Sequence, residues 1–239
     1  MTKLPILMYH KVDEIPPGAR HRRNYVRPEQ FAAHLAALAR WGFRTISFSE
    51  WLAYRQGRGA LPRRPIILTF DDGYRSTYRI AWPILRRFGC TATVFLVSGL
   101  IGGTNAWDAD EIQEPLLDAA EIAEMRAGGI GFESHGATHA ALTRMEPHRA
   151  AAELAASRTA LEAVLGAPVR VFCYPYGKQN AAVRALVRAA GYEAAVVAGR
   201  RMNSVRTDPF RLRRIGVDYR TTIRALRWTL FSLRWLPAA

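Results

Sequence analysis

The chain has 239 residues, 49% of them apolar and 23% charged, which is enough for one sizeable core and too apolar for a disordered chain. No apolar run approaches the ~18 residues of a membrane span, and the opening Met1 to Met8 lacks the basic lead-in and long apolar stretch of a secretory signal, so a cytoplasmic protein is expected. The net charge of +14 comes from 31 Arg and 3 Lys against 20 acidic residues, a skew that fits a GC-rich coding sequence, so the charge alone identifies no anionic partner.

Short apolar runs alternate with helical patterns along the chain. Strands are predicted at 5–9, 43–47, 65–70, 92–97, 130–133, 169–174, 194–198 and 212–217. Phe31, Leu35 and Leu38 share one face of a helix over 28–41, and Ser49 is read as the cap of a short helix carrying Trp51 and Leu52. Asp118 caps a helix over 119–127 that stops at Gly128-Gly129, and Pro147 opens an Ala-rich helix that ends before Gly166. Strands apolar on both faces, such as Ile66-Ile67-Leu68, belong to a parallel sheet covered by helices. Seven or eight such βα units predict an irregular (β/α)7–8 barrel in a single domain over 1–220, with an open doubly wound sheet as the alternative. Cys90 and Cys173 both lie in apolar runs and read as buried thiols, not a disulfide framework.

Barrel enzymes carry their chemistry where strands end and loops begin. The strand ends supply His10, Asp71-Asp72, His135 with His139, and Tyr174-Pro175-Tyr176. In Thr69-Phe70-Asp71-Asp72-Gly73 two carboxylates converge only if the strand gives way to a turn, which Gly73 permits; an Asx-type turn is the structural reading of the same residues. His135 and His139, four residues apart, suit one metal ion, and Asp72 completes an Asp-His-His set that leaves positions for water and substrate. A buried Arg170 near Asp71 would keep that carboxylate ionised. Trp107, in the loop after the fourth predicted strand, and Tyr174 are candidate substrate contacts; Trp107 reads equally well as a plug closing its loop.

Taken together, Thr69-Phe70-Asp71-Asp72-Gly73, His135-x-x-x-His139 and Arg170-x-x-x-x-Pro175-Tyr176 resemble the polysaccharide deacetylases, the NodB-homology domain of carbohydrate esterase family four. The resemblance implies a metal-dependent hydrolase that removes N-acetyl groups from amino-sugar residues of an oligo- or polysaccharide and releases acetate. It implies Asp71 as general base, Asp72, His135 and His139 as ligands of a divalent ion, expected to be Zn2+, Arg170 as the residue positioning Asp71, and the Tyr176 backbone N–H as an oxyanion donor. Gly136 departs from the Ser or Thr frequent after the first histidine. The family's C-terminal Leu-x-His is missing, since no histidine follows His148. His10, at the end of the first strand, resembles the permuted arrangement of the poly-N-acetylglucosamine deacetylases and is expected to protonate the leaving amine. Asp208 is a candidate remnant of a fourth motif.

The rival readings are a deformylase or deacetylase of a lipid-linked sugar or other small amide, and a non-catalytic polymer-binding protein on the same fold. Nucleic-acid binding rests on net charge alone and is not expected. The tail over 221–239 reads as an amphipathic helix with Arg224, Arg227 and Arg234 on one face. Its broad apolar surface calls for burial on the barrel or a second copy, or for peripheral contact with an anionic membrane through Trp228 and Trp235.

Overall fold

The strands close on themselves. In the computed structural model, which describes residues 3–232, β1 (Ile6–Tyr9), β5 (Pro65–Phe70), β6 (Thr93–Leu96), β7 (Gly131–Ser134), β8 (Val171–Cys173), β9 (Ala194–Ala198) and β10 (Leu212–Gly216) pair in parallel around a ring, and β1 joins β10 on one side to β5 on the other. This is a seven-stranded parallel barrel, and the open-sheet alternative is set aside. A further strand, β4 (Arg44–Thr45), pairs only with the start of β5, and β2 (Lys11–Val12) pairs with β3 (Tyr25–Val26) beyond the end of β1.

Two apolar layers result from the period-two alternation of the strands. Ile6, Ile67, Phe95, Val171, Cys173, Val196 and Leu212 fill one cluster, whereas Leu7, Leu68, Val94, Phe132 and Phe172 belong to the larger cluster that includes helix residues. The helices are α1 (Pro28–Arg40), α2 (Phe48–Arg55), α3 (Trp82–Arg87), α4 (Ala119–Ala127), α5 (Pro147–Leu165), α6 (Ala181–Ala189) and α7 (Ile223–Ser232). Asp118 caps α4 through a capping box with Glu121, as its position before the apolar run predicts. The cap of α2 is Ser47, not Ser49: Ser47 Oγ accepts from the Glu50 N–H while Glu50 returns a bond to the Ser47 N–H, a reciprocal pairing that Ser49 lacks. Helices α3 and α6 were not anticipated.

In α7, Leu226 and Leu230 are buried and Phe231 meets Trp41 and Phe43 edge-on, so this face packs on the barrel, while Trp228 is exposed. Trp235 and Arg234 lie outside the described residues. Among those described, no helix is long and apolar enough to cross a membrane.

Candidate active site and metal centre

The C-terminal end of β5 turns abruptly. Asp72 and Gly73 follow one another in the left-handed region, at φ 73° and 75°, and the turn carries both carboxylates to the mouth of the barrel. A Cβ at position 73 would lie 2.8 Å from Leu96 Cδ2, so any other residue would have to displace the Leu96 side chain as well as adopt the positive φ. The neighbouring loop is built similarly. Gly136 (φ 86°) and His139 (φ 62°) bend the segment after β7, and Gly99 lets it approach, with the Ser98 and Gly99 N–H groups donating to Gly136 O and Ala137 O at 3.0 and 2.9 Å. The positive φ at 136 favours glycine, and a Cβ there would lie 3.2 Å from Glu153 Oε1. From α5, the buried Glu153 caps this loop: one oxygen accepts from the Ala137 N–H, the Thr138 N–H and the Thr138 hydroxyl at 2.7–3.0 Å.

Asp72, His135 and His139 thereby meet, all buried, as a candidate metal set. The Nε2 atoms of both histidines lie 3.4 Å from Asp72 Oδ1. Two donors each ~2.0–2.1 Å from one ion at a tetrahedral angle would be about 3.3 Å apart, so the spacing fits a shared divalent ion such as zinc. His135 Nδ1–H donates to the Cys173 carbonyl at 2.8 Å, which leaves Nε2 as the lone-pair donor. His139 Nδ1 is buried without a hydrogen-bond partner. Charge supports the same fit. Burial raises the Asp72 carboxyl, but hydrogen bonds from both histidines more than offset this and hold it well below the usual range. Burial lowers both imidazoles; His139 stays low, whereas Cys173, Asp72 and Asp71 lift His135 well above its ordinary value. Two buried carboxylates facing one guanidinium call for a further positive charge, which a protonated His135 provides without an ion and which a divalent ion would provide in its place.

That guanidinium belongs to Arg214. From β10, Nη1 donates to Asp71 Oδ1 at 2.5 Å and Nη2 to Oδ2 at 2.7 Å, with Arg214 only 2% exposed. Burial raises the Asp71 carboxyl, and the charge and hydrogen bonds of Arg214 outweigh it, so Asp71 sits below its ordinary value. The expectation for Arg170 is corrected here. Arg170 immediately precedes β8, at the end of the barrel opposite the site; its side chain pairs with Glu193 at 3.5 Å and its N–H donates to Glu133. Four residue steps take the strand from Arg170 to the loop at Tyr174, about 13 Å at the rise of a β-strand. The signal for Arg214 was an Arg-Arg pair within a strand, where alternation turns one of the two inward and a buried charge needs a partner. Cys173 is buried, as expected, but beneath the site: its thiol lies 3.0 Å from Arg214 Nη2 and 3.6 Å from Asp71. Cys90 is only half-buried.

His10 follows β1, next to β5, and its Nε2 lies 4.0 Å from Asp71 Oδ2. Tyr176 takes φ 58°, so the only non-glycine residues at positive φ among those described, Asp72, His139 and Tyr176, all belong to this site. The Tyr176 ring is exposed and meets His139 edge-on at 4.7 Å. Trp107 stacks on His139 with ring centroids 4.5 Å apart, which puts an aromatic wall over the metal set. Asn105 holds that loop, donating to Ile112 O and accepting from the Glu114 N–H. Tyr174 contributes to the wall of the same cavity, but its ring packs against Phe172 and its hydroxyl donates to Phe210 O, so at 1% exposure it supports the wall and offers no open ring face to a sugar. Asp208 accepts from the Phe210 N–H at a turn and stays away from the metal set. Two residues not singled out in the sequence close the rim, His21 and Asp108, paired at 2.9 Å. His10, Asp71, Asp72, His135, His139, Trp107 and Tyr176 line one cavity of about 320 Å³.

Residues 58–195 match the family model of polysaccharide deacetylases. Over 82% of its length the chain is 28% identical to YxkH of Bacillus subtilis, assigned to polysaccharide deacetylases, and covers 64% of that protein. It is 29% identical over 54% of its length to a poly-beta-1,6-N-acetyl-D-glucosamine N-deacetylase of Staphylococcus epidermidis, covering 46% of it. The chain thus spans about half to two thirds of these relatives. The crystallised deacetylase PplD of Streptococcus pyogenes, in complex with acetate, superimposes with a TM-score of 0.84 at 25% identity, over 95% of this chain and 98% of that one. The match to the family model covers more than half of the chain, which belongs to the polysaccharide deacetylase family.

Proposed function

We propose that the protein is a metal-dependent hydrolase that removes N-acetyl groups from amino-sugar residues of an oligo- or polysaccharide. The observation that carries this reading is the Asp72-His135-His139 set beside an Asp71 clamped by Arg214, with His10 at 4.0 Å, in one cavity. Two relatives support the class of reaction: the Staphylococcus protein is named for N-deacetylation of a glucosamine polymer, and the Streptococcus deacetylase was crystallised with acetate, the expected product.

A divalent ion held by Asp72, His135 and His139 would supply Lewis acidity, polarising the acyl carbonyl and acidifying water. Asp71, kept ionised by Arg214, accepts the proton of the attacking water. The Tyr176 backbone N–H, offered by the left-handed turn after Pro175, donates to the developing oxyanion. His10 delivers a proton to the departing amine, so that amide and water become free amine and acetate. Trp107 offers its ring to the sugar.

Zinc content together with acetate release from a chitooligosaccharide tests the proposal. Release that requires metal and is abolished in Asp71→Asn supports it. A zinc-loaded, folded protein that releases no acetate from any acetylated amino sugar would overturn it.

A further inference from the structure

Beside the catalytic cavity lies a second one of about 480 Å³, and the two share Met8, Ala198 and Arg214 in their walls. The two cavities therefore adjoin at these residues. The second cavity is basic. Arg23 comes from the segment between β2 and β3, Arg200 from the turn after β9, and Arg220 from the segment before α7, so three separate stretches of chain bring a guanidinium to one place. Among the described residues none of the three has an ion-pair partner. Arg200 makes only a long contact of 3.5 Å with Thr229 Oγ1. The single acid in the wall, Asp218, is engaged by the Arg220 N–H at 2.8 Å and by Thr221.

An arginine-rich chain leaves many arginines without a carboxylate, so what distinguishes this place is the convergence of three of them, from separate stretches of chain, on one cavity. A buried donor is left over as well: Arg214 lines both cavities, and its Nε has no acceptor. Arg214 is neutralised by Asp71, so three guanidiniums against Asp218 leave a net charge of about +2 in this wall. One carboxylate would balance half of that. A phosphate monoester or a diphosphate carries about −1.5 to −2 or more and presents the oxygens that guanidinium forks pair with.

We propose that this cavity binds a phosphate group, and hence that the substrate is an acetamido sugar bearing a phosphate ester or diphosphate next to the acetylated unit. The inference rests on the deacetylase reading for its second half only. Phosphate binding stands on the second cavity alone.

Two measurements separate these parts. In the first, pyrophosphate is titrated calorimetrically into Asp72→Ala, which removes the metal set as a competing phosphate site, and into the same protein carrying Arg23→Ser, Arg200→Ser and Arg220→Ser. All three arginines are exposed, so the substitutions leave the core alone. Binding that weakens tenfold or more in the triple background is expected, and equal or absent binding in both proteins overturns the site. In the second, kcat/KM of the zinc-loaded protein is compared for N-acetylglucosamine and N-acetylglucosamine 1-phosphate. A tenfold or greater preference for the phosphorylated sugar is expected, falling toward one in the triple variant, and a wild-type ratio near one overturns the substrate assignment. Pyrophosphate binding without acetate release from either sugar or from a chitooligosaccharide would sink the deacetylase reading while keeping the phosphate site. The same phosphate can sit on a soluble sugar or on a membrane-anchored carrier. Co-sedimentation with phosphatidylglycerol vesicles, lost in the triple variant, assigns the anchored source; a preference without sedimentation assigns the soluble one.

Discussion

Arg214 grips both oxygens of Asp71, at 2.5 and 2.7 Å, from a strand that pairs with β1, on the opposite side of β1 from β5. The bidentate geometry fixes the orientation of the carboxylate as well as its charge. Arg214→Met is expected to lower kcat at least a hundredfold with the zinc content kept. Losing the guanidinium removes the influence that lowers Asp71, so the acid limb of the pH–rate profile moves to higher pH. Removing one partner of a buried pair also costs about 3–5 kcal/mol, and Arg214→Met with Asp71→Asn should recover part of that stability without activity. Arg170→Ala is expected to leave kcat and its pH profile near wild type, and a hundredfold fall there would reinstate Arg170 as the positioning residue.

The exchange of Arg170 for Arg214 shows what was legible in the sequence. Residues consecutive at a strand end were placed correctly, because the geometry of Asp71-Asp72-Gly73 and of His135 to His139 is local and its glycines mark the turns. The partner of Asp71 is set by which strands adjoin across the barrel, a non-local fact, and a match in spacing to Pro175-Tyr176 picked an arginine at the wrong end of its strand. For Tyr174 the sequence places the residue at the cavity but not the direction of its ring, which the turn just after β8 aims at Phe172. The barrel itself was readable from uninterrupted apolar strands alternating with helices, whereas α3 was hidden by the π-helical turn over Thr77–Ala81 that precedes it.

The metal set makes a sharp prediction. Asp72→Ala, His135→Ala and His139→Ala should each lose bound zinc and activity while remaining folded, whereas Asp71→Asn should keep its zinc and lose turnover. Metal analysis by mass spectrometry reads this directly, and full occupancy in the His135→Ala His139→Ala double variant would remove the assignment. A chelator should also lower the melting temperature of the wild type but not of the double variant, since an ion that binds only the folded chain stabilises it.

For His10 the expected signature is kinetic. His10→Ala should retain zinc, lose about 10²-fold or more in kcat, and lose the basic limb of the pH–rate profile, because the group that delivers the leaving-group proton is gone. An acetylated substrate with a leaving group that needs no proton, such as a nitrophenyl ester, should be far less affected. Equal losses on both substrates would point to a structural role for His10.

Glu153 touches no substrate-facing atom, yet it holds the loop that carries His139. Glu153→Ala should weaken zinc affinity by about 10- to 100-fold, the range seen when groups supporting metal ligands are removed. Glu153→Gln keeps an acceptor oxygen for the Ala137 and Thr138 N–H groups and should rescue most of the loss. Equal zinc affinities in Glu153→Ala and wild type, measured by competition with a chelator, would show that the loop holds itself.

Glu133 offers a test of stability independent of the metal. It is buried in β7, where one oxygen accepts from the Arg170 and Val171 N–H groups at 2.8 and 2.7 Å. Burial outweighs those hydrogen bonds, and the carboxyl is pushed up to about 8 from an ordinary 4.5. Between these values the folded chain holds a proton that the unfolded chain has released. The unfolded state therefore binds fewer protons, and stability falls as pH rises through this window, by up to about 1.4 kcal/mol per pH unit. Below the ordinary carboxyl value both states are protonated and the dependence disappears. Glu133→Gln cannot ionise and keeps an acceptor for both N–H groups. Its melting temperature, measured with chelator present, should vary less between pH 5 and 8 than that of the wild type, and its advantage over the wild type should be largest at pH 8. Parallel curves for the two proteins across that range would mean that Glu133 is already ionised in the fold, with its two backbone donors, not a proton, compensating the charge.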